Sequence, residues 1–171
     1  PAFYTVTIAS KHDSTAMLSI PYEPYAYYIF DRAYDSFKEL YRMHLTDSFY
    51  VVRAKTNLNY KMLKWKRRMP KNVLTDAEVK LTGYLSEKKY PESFRLIRYY
   101  DEEDDREFTF LTNATHVSAL DVANLYKKRW LVELFFKWLK QHLKIKRFWG
   151  TTENAVHIQI SVAIITYCLV A

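Results

Sequence analysis

The sequence is poor in residues that break or staple a chain: two glycines, five prolines and one cysteine among 171 residues. The single cysteine, Cys168, excludes an internal disulfide and any zinc site built on several thiolates, and it fits a reducing cytoplasm. With so few glycines there is no Gly-rich loop to cradle nucleotide phosphates. No internal repeat, low-complexity tract or secretory signal is visible. The chain begins at Pro1 rather than Met and stops at Ala171 inside an apolar run, so it reads as a piece of a longer protein.

What is present fits one globular domain, with or without an insert; the strands and helices read below make it α/β. Hydrophobic residues make up 49% of the chain, enough to fill a core at this length. Net charge is +7, with a pI near 9.3, and 17% of residues are aromatic, 15 of them Tyr. Positive charge beside many flat rings suits a polyanion that also offers bases to stack on, which is nucleic acid.

The most organised stretch is SALDVANLYKKRWLVELFFKWLKQHLKIKRFWG, residues 118–150. Apolar residues recur at steps of three and four, no Pro or Gly intervenes before Gly150, and Ser118 stands three before Asp121 in a capping-box-like start. One long helix is predicted. At about 100° per residue, Tyr126, Arg129, Glu133 and Lys140 fall within roughly 60° of one another in a stripe about 21 Å long. A carboxylate then sits between cations, with a phenol at one end. As an ordinary surface feature, Arg129 and Glu133 would pair at four residues' distance for a few tenths of a kcal/mol.

Upstream, FYTVTIA (residues 3–9) reads as a strand and SKHDSTA as a polar turn, where His12 and Asp13 are expected to be solvated rather than metal-bound. Met17 to Ile20 is a short helix stopped by Pro21 and Pro24. YAYYIF, 25–30, is a continuous apolar run, expected of a strand covered on both faces, and Asp31 follows at its carboxyl end. Ligand sites of open α/β sheets gather outside such ends. Alone, Asp31 would pass for a turn or cap residue; paired with the downstream helix it reads as a catalytic carboxylate.

Asp35 or Ser36 is expected to cap a helix burying Phe37, Leu40, Tyr41 and Leu45, followed by a strand over 48–55. From 57 to about 113, AEVKLTGY, SFRLIRYY and REFTFLTN alternate or run short between turn signals, which predicts an antiparallel β region. Asp31 and Glu133 are too far apart in sequence for a simple strand-to-helix crossover, so this region is expected to be an insertion. KWKRR, 64–68, sets Lys64, Lys66, Arg67 and Arg68 around Trp65, a pattern for phosphate contact with stacking or for a solvated loop. DEEDD, 101–105, reads as a hairpin loop because it lacks the ligand spacing and turn glycine of a calcium site. After TTEN, an N-cap at Thr151 or Thr152, the run AVHIQISVAIITYCLVA predicts a helix buried in the core; a membrane span is the weaker alternative.

Tyr126-x2-Arg129-x3-Glu133-x6-Lys140 resembles the signature that closes the catalytic domain of bacterial DDE transposases of insertion-sequence family four. YYIFDRAYDSF resembles the strand carrying that family's second catalytic aspartate, which is usually followed by Arg-Gly-Tyr; here Ala33 replaces the Gly. The likeness runs over nearly the whole chain. It implies a ribonuclease H-like core (1–56 and 118–171), truncated at its N-terminus and interrupted by an antiparallel β subdomain (57–117).

The resemblance also implies three carboxylates sharing two Mg²⁺ or Mn²⁺ ions, with Asp31 matching the second and Glu133 the third. Two such ions, about 3.5 to 4 Å apart, suit displacement at a phosphodiester, and carboxylates are the oxygen ligands they take. The first aspartate would lie upstream of Pro1, so residues 1–171 alone are expected to be inactive. Tyr126, Arg129 and Lys140 would hold the backbone of a transposon end near the scissile bond, as a hydroxyl donor, a guanidinium fork and a point charge can. Trp130, beside the stripe, would stack on a displaced base or pack in the core.

The implied protein is a cut-and-paste transposase acting on double-stranded DNA, both transposon ends and target, as a homodimer in a bacterial cytoplasm and away from membranes. A metal-dependent nuclease of the same fold without strand transfer, and a non-catalytic nucleic-acid-binding module, are the competing readings.

Overall fold

The computed structural model describes residues 17–32, 36–55, 57–143 and 148–170. The strand expected over 3–9, the His12–Asp13 turn, Ala33 and a cap at Asp35 lie outside the described residues. The chain divides into a sheet unit, residues 11–128, and a helical unit formed by 129–171 together with 1–10.

In the sheet unit, a 3₁₀ turn at Met17–Ser19 precedes β1 (Tyr27–Phe30). The strand begins two residues later than the apolar run suggests, because Tyr25 adopts a positive φ of 64° and its N–H is taken by the carbonyl of Asp47. Helix α1 (Phe37–Leu45) follows, then β2 (Phe49–Arg53), parallel to β1 with Phe30 opposite Val52. Ser36 occupies the N-cap of α1 with no side-chain hydrogen bond to it. Leu40 and Met43 face the core, whereas Leu45, expected inside, is 65% exposed at the helix end.

The predicted antiparallel region is present as β3 (Tyr60–Trp65), β4 (Val73–Leu81), β5 (Phe94–Asp101) and β6 (Arg106–Thr112). A helix missed in the sequence, α2 (Tyr84–Lys89), lies between β4 and β5. These strands do not stand apart from the first two. β6 pairs antiparallel with β2, Val52 opposite Leu111, so one six-stranded sheet runs in the order β1-β2-β6-β5-β4-β3.

The period-2 rule sends successive side chains of each strand to opposite faces, and in the middle of the sheet both faces are covered. Tyr50, Val52 and Leu96 pack with Leu40, Met43 and Tyr90 on one face. Val51, Ile97 and Phe110 pack on the other with Ala119, Val122, Ala123 and Tyr126 of α3 (Ala119–Lys127). Helix α3 starts with a complete capping box: the Ser118 hydroxyl accepts the Asp121 N–H, and the Asp121 carboxylate accepts the Ser118 N–H. The hairpin loop expected over 101–105 is present over 102–105, Asp101 being the last residue of β5 opposite Arg106, and Asp105 has φ 45°.

The single helix predicted over 118–150 is two. α3 ends at Lys127, and α4 (Trp130–His142) begins after Lys128 and Arg129. Both linking residues keep right-handed helical dihedrals, but at the start of α4 the Val132 N–H bonds to Arg129 three residues back, so the four-residue ladder is interrupted without a Pro or Gly.

In the helical unit, α4 is followed by α5 (Glu153–Val170), whose first turn is capped by the Thr152 hydroxyl accepting the Ala155 N–H. The two helices meet where Phe135 and Trp138 set their rings edge-on to Tyr167, at 4.7 and 5.1 Å. The expectation that α5 is a buried core helix does not hold: only Ala163 is buried among its described residues, and Leu169 is 81% exposed. An apolar helix needs neighbours on every side to be buried, and α4 supplies one. With a mean hydropathy of 1.3 over 18 residues, α5 is long and apolar enough to cross a membrane by length and composition only, a property shared with core helices.

Candidate active site

Asp31 emerges at the carboxyl end of β1, half-buried, where the sequence puts it. Its Oδ1 accepts the Arg32 N–H at 2.7 Å and the Tyr126 hydroxyl at 2.9 Å, a contact between residues 95 apart in sequence. Tyr126 is 7% exposed, and its ring lies 4.8 Å from that of Phe110 and 6.0 Å from that of Phe108. The last turn of α3 is pinned by Lys127, whose ammonium reaches Asp101 at 3.1 Å and Glu103 at 3.0 Å. Hydrogen bonds to these two acids hold the lysine well above its ordinary pKa. The DEEDD loop is therefore a clasp for α3.

One residue beyond the β1–β2 pair Phe30–Val52 stands Arg53, a cation that sequence reasoning passed over as strand. Its guanidinium lies over the Phe108 ring at 4.9 Å, and that of Arg106 lies over the same ring at 5.3 Å. Its place at a strand's carboxyl end was the available signal, the same one that singled out Asp31.

Glu133 lies in the first turn of α4, paired with Arg129 at 2.7 Å. Glu133, Phe136, Lys137, Lys140 and Gln141 line an open groove of about 570 Å³ on that helix. Lys137 was not singled out from the sequence, although steps of four and three place it on the face shared by Glu133 and Lys140. Trp130 is 57% exposed, so of its two readings the packed one is not seen here. Since the helix is divided, Tyr126 belongs to α3 and the sheet unit, while Arg129, Glu133 and Lys140 belong to the helical unit.

KWKRR lies on the exposed end of β3 and the turn after it. Lys66 reaches Asp76 at 2.8 Å and Lys64 approaches Glu78 at 3.7 Å, while Trp65 is 65% exposed and Arg67 and Arg68 lie exposed in the turn. Asp76 is itself held by Arg95, buried, through two bonds of 2.6 and 2.7 Å. A cavity of about 560 Å³ beside them is lined by Lys64, Trp65, Lys66 and Arg95 together with Asp76, Glu78 and Glu92, three acids that balance the three cations.

Asp31 and Glu133 offer carboxylate oxygens, the hard donors that Mg²⁺ or Mn²⁺ takes, so the donor chemistry fits such ions. Among the described residues no three His, Cys, Asp or Glu side chains cluster into a ready-made metal site.

The model of a family described as the transposase DDE domain matches residues 1–169, and the chain belongs to that family. A Sinorhizobium fredii protein named as a transposase is 34% identical over 174 residues, covering 99% of this chain and 48% of the relative. A Geobacillus stearothermophilus protein named as an insertion-sequence transposase is 33% identical over 140 residues, covering 81% of this chain and 37% of the relative. An insertion-sequence relative from Synechocystis is 42% identical over 73 residues, covering 39% of this chain and 22% of the relative. The chain thus spans about half, or less, of the length of the curated relatives it matches.

Proposed function

We propose that the protein carrying this chain is a cut-and-paste DNA transposase of insertion-sequence family four. On this reading its catalytic core is ribonuclease H-like, and the 57–117 segment is an insertion whose strands extend the core sheet. Asp31 and Glu133 would hold the divalent ions together with an aspartate outside this chain. When bound, such ions stabilise the negative charge that develops as a phosphodiester is displaced.

The chain's own cations handle the DNA backbone. Arg129 forks onto a phosphate, Lys140 and Lys137 add point charges along α4, and Arg53 adds one beside Asp31. Trp130 offers a ring to an unstacked base, while Lys64, Lys66, Arg67 and Arg68 with Trp65 form a second contact surface on the β3–β4 hairpin. Transposon ends and target are the substrates, handled by a homodimer in a bacterial cytoplasm.

The observation that carries the reading is a carboxylate held at the end of a half-buried parallel strand, in a chain of the DDE family whose α4 presents a second carboxylate among cations. In the full protein, Glu133→Gln should leave binding to a terminal-repeat duplex intact in gel-shift assays and abolish its cleavage in Mg²⁺. Persistent cleavage would refute the assignment. Paired-end reactions that release nicked DNA without joined products would instead favour a nuclease.

A further inference from the structure

The geometry points to Tyr126 as a positioning residue for the Asp31 carboxylate rather than a ligand of the DNA backbone. A phosphate contact needs a donor that solvent can reach, whereas Tyr126 is buried to 7% exposure and its ring is wedged against Phe110 and Phe108. Its hydroxyl donates to Asp31 Oδ1 at 2.9 Å. The terminal torsion of an aspartate is broad and nearly two-fold, so a carboxylate at a strand end turns easily unless something holds it. Here the Arg32 N–H and the Tyr126 hydroxyl meet the same oxygen, and together they fix the plane of the carboxylate. That matters for a cation such as Mg²⁺, which demands near-ideal octahedral geometry.

The surrounding structure keeps the hydroxyl in place from both ends of α3. The capping box fixes its start, and the salt bridges from Lys127 to Asp101 and Glu103 fix its last turn, one residue from Tyr126. Lys127, Asp101 and Glu103 thereby act on Asp31 through Tyr126.

The inference rests on the reading of Asp31 as a metal-holding carboxylate, and the test separates the two. In the full protein, Tyr126→Phe keeps the ring and removes the hydroxyl. Expected are a roughly 10- to 100-fold rise in the Mg²⁺ concentration needed for half-maximal cleavage and a comparable loss of Mn²⁺ affinity, counted by electron paramagnetic resonance without DNA. Terminal-repeat binding should stay within about two-fold, since no phosphate contact is removed. Weakened DNA binding with an unchanged metal requirement would overturn the inference and make Tyr126 a phosphate ligand. No change in either quantity would overturn it too. Asp31→Asn is the control: wild-type cleavage by that variant would refute the functional reading itself, whereas a dead Asp31→Asn beside a Tyr126→Phe of normal metal requirement would refute only the positioning role.

Discussion

In the sheet unit, the consecutive residues Tyr50, Val51 and Val52 are all fully buried, because a sheet covered on both faces buries odd and even positions alike. In the helical unit, Ile158, Val162 and Ile165 are each more than half exposed along a helix of equally apolar sequence. The contrast teaches that apolar composition states a demand for burial, and that long-range partners decide whether the demand is met. Tyr50 finds Tyr90, forty residues away, and donates its hydroxyl there, while α5 has its ring contacts on the Tyr167 side.

Breaking the sheet unit from within should have the largest effect. Arg95→Met leaves the Asp76 carboxylate, whose side chain is 6% exposed, with Lys66 alone and takes the donor from the Ala114 and Val117 carbonyls; it should cost about 3–5 kcal/mol in urea unfolding of the chain. A cost under about 1 kcal/mol would mean that the pair does not hold β4 to β5.

Acid should attack the same pair. Burial raises the Asp76 carboxyl, but hydrogen bonds from Arg95 and Lys66 outweigh it and hold the group below its ordinary value near 3.8. A carboxyl lowered on folding contributes stability above its ordinary value, and that contribution is lost as pH falls through the lowered one. The urea midpoint should therefore drop as pH is taken below about 3.8, and the drop should be smaller in Asp76→Asn.

The start of α3, within the sheet unit, gives a smaller effect. Ser118→Ala removes the hydroxyl half of the α3 capping box and should cost about 1 kcal/mol, with faster amide exchange confined to the first turn of α3. Smallest of all, Ile165→Ser, at a position 58% exposed, should shift stability by no more than about 0.5 kcal/mol. A loss of several kcal/mol there would erase the contrast between the units.

Much of the sheet unit was legible locally. The apolar run before Asp31 predicts β1 and its end, the short strands after residue 57 predict the antiparallel region, and Ser118 with Asp121 predicts the cap of α3. What was not legible depends on distant partners or subtle backbone changes. The β2–β6 pairing joins residues some sixty apart, and no local pattern states that the β region continues the same sheet. The break after Lys127 keeps helical dihedrals, so neither Pro nor Gly announces it. Helix α2 is only six residues long and follows Gly83, which reads as a turn signal. At the site, residue types and spacing pointed to Asp31, Arg129, Glu133 and Lys140. Handing the Tyr126 hydroxyl to Asp31 needs α3 laid across the sheet, which spacing along one helix does not encode.

Strand β3 is outermost on its side of the sheet among the described strands, and its residues from Lys61 to Trp65 are exposed. An open strand edge invites another chain to zip onto it, and lysines and bulges are what natural sheets use to refuse. Lys61 and Lys64 stand on either side of the register shift between Met62 and Lys64. Charge and bulge together thus make this open edge a poor template for a strand from a second copy.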